Sequence, residues 1–229
     1  MLRAALACHL DPCQFRGIPQ VGLIQVNADV AGVAQDRCIS PGVVAMQPIE
    51  PLMPWHMGPD HPRWTETLRD HTTVVIRPVR RDDAAEERAF IEALSPQAMR
   101  YRFLGQIRHP SSEMVARLTD IDYVHDLAFA AVVHDDARDK FVGIARYSTN
   151  IDGTDCECAV TVLDDWQGKG LGSVLMKHLI EVARSRGIKH MWSLDSAENV
   201  EMADLARYLG FDRHADPDDA AQVIHSLWL

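Results

Sequence analysis

Apolar positions in the C-terminal two thirds of the chain recur with two spacings, one of two residues and one of three to four. Short β-branched or alternating runs predict six strands, at residues 73–76, 127–133, 141–148, 157–163, 189–194 and 222–227. Helical spacing with capping residues predicts four helices, at residues 82–94, 111–118, 171–186 and 199–209. Strands and helices therefore interleave along this part of the chain.

A glycine-rich loop joins the strand at 157–163 to the helix that follows it. Three of the six residues from Gln167 to Gly172 are glycine, so the backbone can adopt positive φ and approach a ligand closely. Leu171, Val174 and Leu175 begin the apolar stripe of the helix. The loop therefore leads into a helix N-terminus, where free N–H groups and a partial positive charge favour an anion.

The spacing of these glycines distinguishes between the known anion loops. A P-loop requires a Gly-Lys-Ser/Thr run that the chain lacks, and a dinucleotide fingerprint requires Gly-x-Gly-x-x-Gly, whereas this loop has Gly-x-Gly-x-Gly. Together with the preceding turn Asp164-Asp165-Trp166, the loop matches Gln/Arg-x-x-Gly-x-Gly/Ala. It resembles the acetyl-CoA loop of the GNAT N-acetyltransferase superfamily, and the resemblance extends from about Thr72 to the C-terminus.

The resemblance implies an α/β fold, with a mixed sheet of six to seven strands and about four helices on its two faces. It also implies that acetyl-CoA is the co-substrate. The residues expected to bind it are Val162, Leu163, Gln167, Gly168, Lys169, Gly170, Leu171, Gly172, Ser173 and Asn199. In this set, the main-chain N–H of Val162 or Leu163 would hold the thioester carbonyl. Asn199 would either contact the pantetheine arm or only cap its helix.

The first part of the domain, which we call its opening, indicates which members of the superfamily the chain resembles. It resembles the opening of bacterial protein-lysine acetyltransferases and of the acetyltransferase domain of NDP-forming acyl-CoA synthetases. The residues that carry this resemblance are Ile76–Arg80 with Asp82-Asp83, Leu94-Ser95-Pro96 and Tyr101–Gly105. A generic GNAT opening is the alternative. The implied activity is an N-acetyltransferase whose acceptor is a protein lysine or another amine.

Glu157 is the candidate general base. Alternation along the strand places Glu157, Ala159 and Thr161 on one face, and lysine acetyltransferases of the resembled group carry a catalytic glutamate at this point of the strand. An ammonium group must lose a proton before it attacks a thioester, and a partly desolvated carboxylate can take that proton directly or through water. A surface or ion-paired glutamate is the alternative.

The general acid is where the chain departs from the resembled pattern. Many members carry a tyrosine four residues before the Gly-Phe that ends the last helix, and here that residue is Ala206. Tyr208 lies half a turn away, so we expect it to be a packing residue. The CoA thiolate would then leave unassisted or through water. The missing tyrosine also raises a second hypothesis, a CoA-binding sensor or regulatory module that has the fold without turnover.

Composition limits the partners and the location. A formal net charge of −10 argues against nucleic acid and favours a basic acceptor, such as a protein lysine, a polyamine or an aminoglycoside. The five cysteines form no even disulfide framework, which favours the cytoplasm, and the sequence has no strong metal-ligand spacing, so we expect no metal. No run reaches the length needed to cross a membrane, so we expect no membrane partner.

The first third of the chain forms a separate segment, residues 1–71, upstream of a GNAT domain at residues 72–229. Residues 40–62 include six prolines, a density that disfavours helices and central strands. We therefore expect residues 1–71 to be an N-terminal Pro-rich extension with little order of its own.

Overall fold

The computed structural model describes residues 58–104, 109–135 and 138–229 of the 229-residue chain. The strands are β1 (Trp64–Thr67), β2 (Thr73–Pro78), β3 (Asp126–Asp135), β4 (Arg138–Thr149), β5 (Asp155–Val162), β6 (His190–Ser196), β7 (Asp212–Ala215) and β8 (Gln222–Trp228). The helices are α1 (Ala84–Glu92), α2 (Pro96–Phe103), α3 (Ser112–Thr119), α4 (Leu171–Ser185) and α5 (Val200–Leu209). Within these three ranges, no helix has the length and apolar character needed to cross a membrane.

The strands form one sheet in the order β1-β2-β3-β4-β5-β6-β8-β7. Every neighbouring pair is antiparallel except β5 and β6, which are parallel. This mixed sheet confirms the predicted fold class. Because β5 and β6 are parallel, a crossover that contains α4 connects them, and their carboxyl ends lie at the same edge of the sheet.

The described residues contain eight strands and five helices, more than the six to seven strands and four helices expected. β1 and β7 have only four residues each, too few to show a period, and every residue of β7 is exposed. α2 has a polar composition, but its start has a signal in the sequence. Ser95 caps the helix by accepting a hydrogen bond from the Ala98 N–H at 3.2 Å, and Pro96 occupies the first helical position.

The first strand of the sheet lies upstream of the expected domain boundary at residues 71 and 72. Trp64 of β1 packs edge-on against Phe129 of β3, with ring centroids 5.2 Å apart, and stacks on His178 of α4 at 4.1 Å. Trp64 thus packs against the core, and the sheet includes residues before Thr72. The expectation of little order falls mainly on residues 1–57, which lie outside the described residues.

The two faces of the central strands pack against different helices. On β4, Gly143 faces α4, and a Cβ at this position would come within 3.0 Å of Leu175 and 3.1 Å of Leu171. Glycine therefore allows the helix to lie close to the strand. Because side chains alternate along a strand, Arg146 points to the opposite face, where it forms a buried ion pair with Glu87 of α1 at 3.1 Å. We call these the α4 face and the α1 face of the sheet.

Candidate active site

Two parallel strands separate near the centre of the sheet. β5 and β6 form only three cross-strand pairs, Asp155↔His190, Cys156↔Met191 and Glu157↔Trp192. β5 nevertheless continues to Val162, and β6 continues to Ser196. The backbone groups on the facing edges beyond Glu157 are therefore not used by this pairing, and a ligand can bind them. We call this opening the β5–β6 gap.

The direction of the backbone groups shows which of the two expected N–H donors faces the gap. The Leu163 N–H donates to the Val142 carbonyl of β4 at 3.0 Å. Backbone groups of successive strand residues point to opposite edges, so the N–H and C=O of Val162 face the gap. In agreement, the Val162 carbonyl accepts a hydrogen bond from Gln167 Nε2 at 3.2 Å. Leu163 is thus already paired with β4, and of the two N–H groups it is that of Val162 that faces the gap.

The expected base, Glu157, lies at the closed end of the gap. It is the last residue of β5 that pairs with β6, and its partner on β4 is Ser148. Ser148 is two residues from Arg146, so Glu157 shares the α1 face with Arg146. The Glu157 side chain is half-buried. A carboxylate is therefore located where the two strands part, on the face opposite α4.

The glycine loop follows the open end of β5 and leads into α4. Gly168 and Gly170 have positive φ values of 71° and 92°, and Gly170 is the N-cap of the helix. No side chain caps this end, so the first-turn N–H groups have no side-chain partner from the cap residue. Leu171 is buried and can offer a ligand only its backbone, whereas Ser173 is half-buried. The loop therefore has the backbone geometry that favours an anion.

The turn between β1 and β2 packs on this loop, a contact that the sequence pattern does not predict. The Arg69 N–H donates to the Lys169 carbonyl at 3.1 Å, and Asp70 forms an ion pair with Lys169 Nζ at 3.1 Å. The Arg69 side chain lies 3.4 to 3.7 Å from the position that a Cβ on Gly170 would occupy. Asp70 therefore holds Lys169, and Arg69 brings a second cation next to Gly170. The partners are a hundred positions apart, so no local signal reports the contact.

The remaining expected ligand residue, Asn199, begins α5. Its Oδ1 accepts a hydrogen bond from the Met202 N–H at 3.1 Å, so the side chain caps the helix. The cap uses the oxygen of the amide and leaves its Nδ2 donor for another partner. Capping and ligand contact are therefore compatible for this residue.

Tyr208 is not the packing residue that we expected. Ala206 is 1% exposed, whereas Tyr208 is 59% exposed and its hydroxyl lies 3.1 Å from Lys177 Nζ of α4. This hydrogen bond lowers the pKa of Tyr208 below its ordinary value. The packing prediction was wrong because the side of α5 opposite Ala206 is exposed rather than buried. Ala206 and Tyr208 lie on different sides of the helix. Tyr208 therefore does not take the place of the tyrosine that many family members carry where this chain has Ala206.

The structure thus has a glycine loop that follows a strand and leads into a helix N-terminus, the order of elements that the sequence predicts. Residues 85–211 match the acetyltransferase (GNAT) family. The chain therefore belongs to the GNAT family, whose members are N-acetyltransferases that use acetyl-CoA as co-substrate. This match confirms the resemblance on which the expected activity depends.

Individual proteins that are similar to this chain are also named acetyltransferases. The chain is 50% identical over 170 residues to acetyltransferase PA5475 of Pseudomonas aeruginosa. The matched stretch covers 74% of this chain and 90% of the relative. It is 31% identical over 111 residues to acetyltransferase Pat of Mycolicibacterium smegmatis. The matched stretch covers 48% of this chain and 33% of that relative. The solved GNAT domain of S. lividans PAT has a TM-score of 0.68 at 26% identity, and covers 74% of this chain and 100% of that domain. The fold and the enzyme class are therefore those of an acetyltransferase.

Proposed function

We propose that this protein transfers an acetyl group from acetyl-CoA to an amine by direct attack, with Glu157 as the general base. The observation that carries the proposal is the position of Glu157 where β5 and β6 part. A thioester that lies along the open edge of β5 would end at this carboxylate. The Val162 N–H, the glycine loop and the start of α4 follow Glu157 along one strand-to-helix connection. One extended acyl-CoA can therefore contact all of them.

In this proposal the cofactor lies with its pyrophosphate on the glycine loop and its thioester in the β5–β6 gap. The N–H groups of the loop and of the first turn of α4 would bind the pyrophosphate, and Arg69 would add a positive charge beside it. The Nδ2 group of Asn199 would donate to the pantetheine arm. The residues proposed for the loop contact are Gln167, Gly168, Lys169, Gly170, Leu171, Gly172 and Ser173.

The chemistry would use one backbone group and one side chain. The Val162 N–H would polarise the thioester carbonyl, a contact worth about 3 kcal/mol in comparable sites. Glu157 would take a proton from the ammonium group of the acceptor, directly or through water. The neutral nitrogen then attacks the carbonyl carbon, and the C–S bond breaks with its electron pair left on sulfur. The nitrogen loses its remaining extra proton to water, and the CoA thiolate leaves unassisted or takes a proton through water. The products are the N-acetylated amine and CoA.

A protein lysine is the acceptor that we favour, with a polyamine or an aminoglycoside as the alternative. The opening segment resembles bacterial protein-lysine acetyltransferases, but its Arg77 and Asp83 form a buried bidentate pair at 2.7 and 2.8 Å. These two residues belong to the scaffold and do not select an acceptor. The net charge of −10 attracts basic molecules of all three classes. The choice of a lysine therefore rests on the resemblance of the whole opening segment.

The proposal is tested by calorimetric titration of the protein with acetyl-CoA, followed by a thiol-release assay on the same sample. The acceptor panel contains lysine-bearing proteins, polyamines and aminoglycosides, and the same proteins after chemical acetylation of their lysines are the matched control. We expect saturable binding and thiol release that requires a free lysine. Binding without release from any acceptor would favour the sensor hypothesis. Absence of binding would contradict the proposed site.

A further inference from the structure

A groove between α4 and α5 has no part in the mechanism proposed above. It has a volume of about 620 Å³ and is open to solvent, and sites for small molecules range from about 300 to 1,000 Å³. Two of its three charged side chains are cations, although the chain has a net charge of −10. The residues that line it are Lys177, Ile180, Glu181, Arg184, Tyr208 and Leu209. The groove therefore has the size of a ligand site and an excess of positive charge.

The groove continues from the glycine loop along the same pair of helices. Near the loop, Leu205 Cδ2 of α5 lies 3.4 Å from the position that a Cβ on Gly172 would occupy. Further along α4, Lys177 contacts Tyr208 of α5. Lys177 is seven residues after Gly170, which is about 10 Å along the helix axis, and side chains on a helix lean toward its N-terminus. A ligand bound at the loop can therefore extend to Lys177.

Lys177 is held by a neutral partner instead of a carboxylate. Its Nζ donates a hydrogen bond to the Tyr208 hydroxyl at 3.1 Å and lies 5.2 Å from the centre of the tyrosine ring. Lys177 has no ion pair within the described residues, although Glu181 is four residues further along α4, a spacing at which such pairs form. An ammonium group has three donors, and the tyrosine uses one of them. Lys177 is thus a positioned cation with two N–H donors for a ligand.

A second cation lies close to both the loop and the groove. The Arg69 side chain is next to Gly170. The hydrogen bond from Lys177 is the main cause that lowers the pKa of Tyr208, and the charge of Arg69 acts in the same direction. Arg69 is therefore near Tyr208 as well. Like Lys177, it forms no ion pair in the part of the chain that the structure describes. Two cations without a carboxylate partner therefore border the path from the loop to the groove.

The chemistry of CoA provides an anion for this path. Besides the pyrophosphate, which the glycine loop would bind, CoA carries a phosphate on the 3′ carbon of its ribose. One sugar ring separates this phosphate from the pyrophosphate. A phosphate monoester has a charge of about −2 at neutral pH, and an ammonium group binds it as a point charge. The 3′-phosphate is therefore the part of the cofactor that fits Lys177.

We propose that Lys177 binds the 3′-phosphate of CoA in the groove between α4 and α5, and that Tyr208 is a positioning residue that holds Lys177. The lysine would donate its two remaining N–H groups to the phosphate while the Tyr208 hydroxyl accepts the third. Arg184 is seven residues beyond Lys177 on α4, too far from the loop to share the phosphate. The inference rests on the proposed function, because it assumes that the pyrophosphate lies on the glycine loop.

The test compares the affinities of the whole chain for CoA and for dephospho-CoA, which lacks only the 3′-phosphate, by isothermal titration. We expect the wild type to bind CoA about fivefold more tightly than dephospho-CoA, as for an exposed ion pair, and added salt to reduce this preference. Lys177→Gln should weaken the binding of CoA by about the same factor and leave that of dephospho-CoA unchanged. Lys177→Arg keeps a cation and should keep the preference.

Two further variants separate a bound phosphate from a general effect of charge. Tyr208→Phe removes the hydroxyl but keeps the ring, so it should reduce the preference for CoA by about twofold without changing the affinity for dephospho-CoA. A purely structural role of Tyr208 would change both affinities. Arg184→Gln is the matched control, because it removes an exposed cation from the same groove and the same helix. It should leave the preference for CoA unchanged.

Equal affinities of the wild type for the two ligands would overturn the inference. A preference that does not change with salt, or equal losses for both ligands in Lys177→Gln, would overturn it as well. The same loss of preference in Arg184→Gln would show that the field of the whole groove, and not Lys177, recognises the phosphate. Binding of dephospho-CoA shows that each variant is folded. Absence of binding of both ligands by the wild type would instead contradict the proposed acyl-CoA site. Failure of this inference is therefore distinguishable from failure of the proposed function.

Discussion

The two edges of β5 meet their neighbours in different ways. On one edge, β5 pairs with β4 from Thr149↔Cys156 to Gly143↔Val162. On the other edge, pairing with β6 ends at Glu157. The paired edge belongs to the part of the sheet that lies between α4 and α1, whereas the open edge forms the wall of the candidate site. We infer that the paired edge contributes mainly to stability and the open edge mainly to chemistry, so substitutions at the two edges should change different measurements.

On the paired side, Arg146→Met should lower the free energy of unfolding by about 3 to 5 kcal/mol. The substitution leaves Glu87 buried without its partner, and urea unfolding measures the loss. Burial raises the pKa of Glu87, while the charges of Arg146 and Arg102 act in the opposite direction. The double variant Arg146→Met/Glu87→Leu removes both charges of the pair and should recover most of the stability. A single variant that loses less than about 1 kcal/mol would contradict the assignment of stability to this edge.

At the loop that follows the open edge, Gly170→Glu should weaken the binding of acetyl-CoA at least tenfold, or by about 1.4 kcal/mol. The new carboxylate would lie beside the proposed pyrophosphate site and next to Arg69. Isothermal titration measures the affinity. Gly153→Glu is the control, because Gly153 also has a positive φ of 69° and has open space around it, but lies in the turn between β4 and β5. Equal losses in both variants would point to backbone strain, and wild-type affinity in Gly170→Glu would contradict the loop assignment.

At the turn that packs on this loop, Arg69→Gln should weaken the binding of acetyl-CoA by about threefold at low ionic strength, and by less as salt is added. The guanidinium is exposed, so its interaction with a phosphate is partly screened by water. Arg213→Gln, which removes an exposed cation from β7, serves as the control for net charge. A salt-independent loss, or equal losses in the two variants, would show that Arg69 does not contact the cofactor.

The sequence predicted the helices and strands whose apolar residues recur at a regular spacing, and it predicted the loop that is rich in glycine. The central strands, α4, α5 and the glycine loop between β5 and α4 were found in this way. β1 and β7 were missed because four residues do not establish a period, and α2 was missed because its composition is polar. The Ser95-Pro96 start of α2 was nevertheless present as a signal.

The features that depend on pairing between distant strands were not predictable. His190–Ser196 has the composition of an ordinary strand, and nothing in it shows where pairing with β5 stops. The choice between Val162 and Leu163 as the backbone donor depends on the register with β4, which the sequence does not state. The contact of Arg69 with the loop and the bond between Lys177 and Tyr208 likewise join residues from distant parts of the chain.

The role of Glu157 is tested most directly by the rate of thiol release from acetyl-CoA in Glu157→Gln, measured with saturating acceptor and compared with the wild type. Glutamine keeps the shape of the side chain but cannot take a proton. We predict a fall in kcat of about a hundredfold, with the affinity for acetyl-CoA and the stability of the fold unchanged. Wild-type turnover in this variant would contradict the assignment of the general base to the open edge of β5.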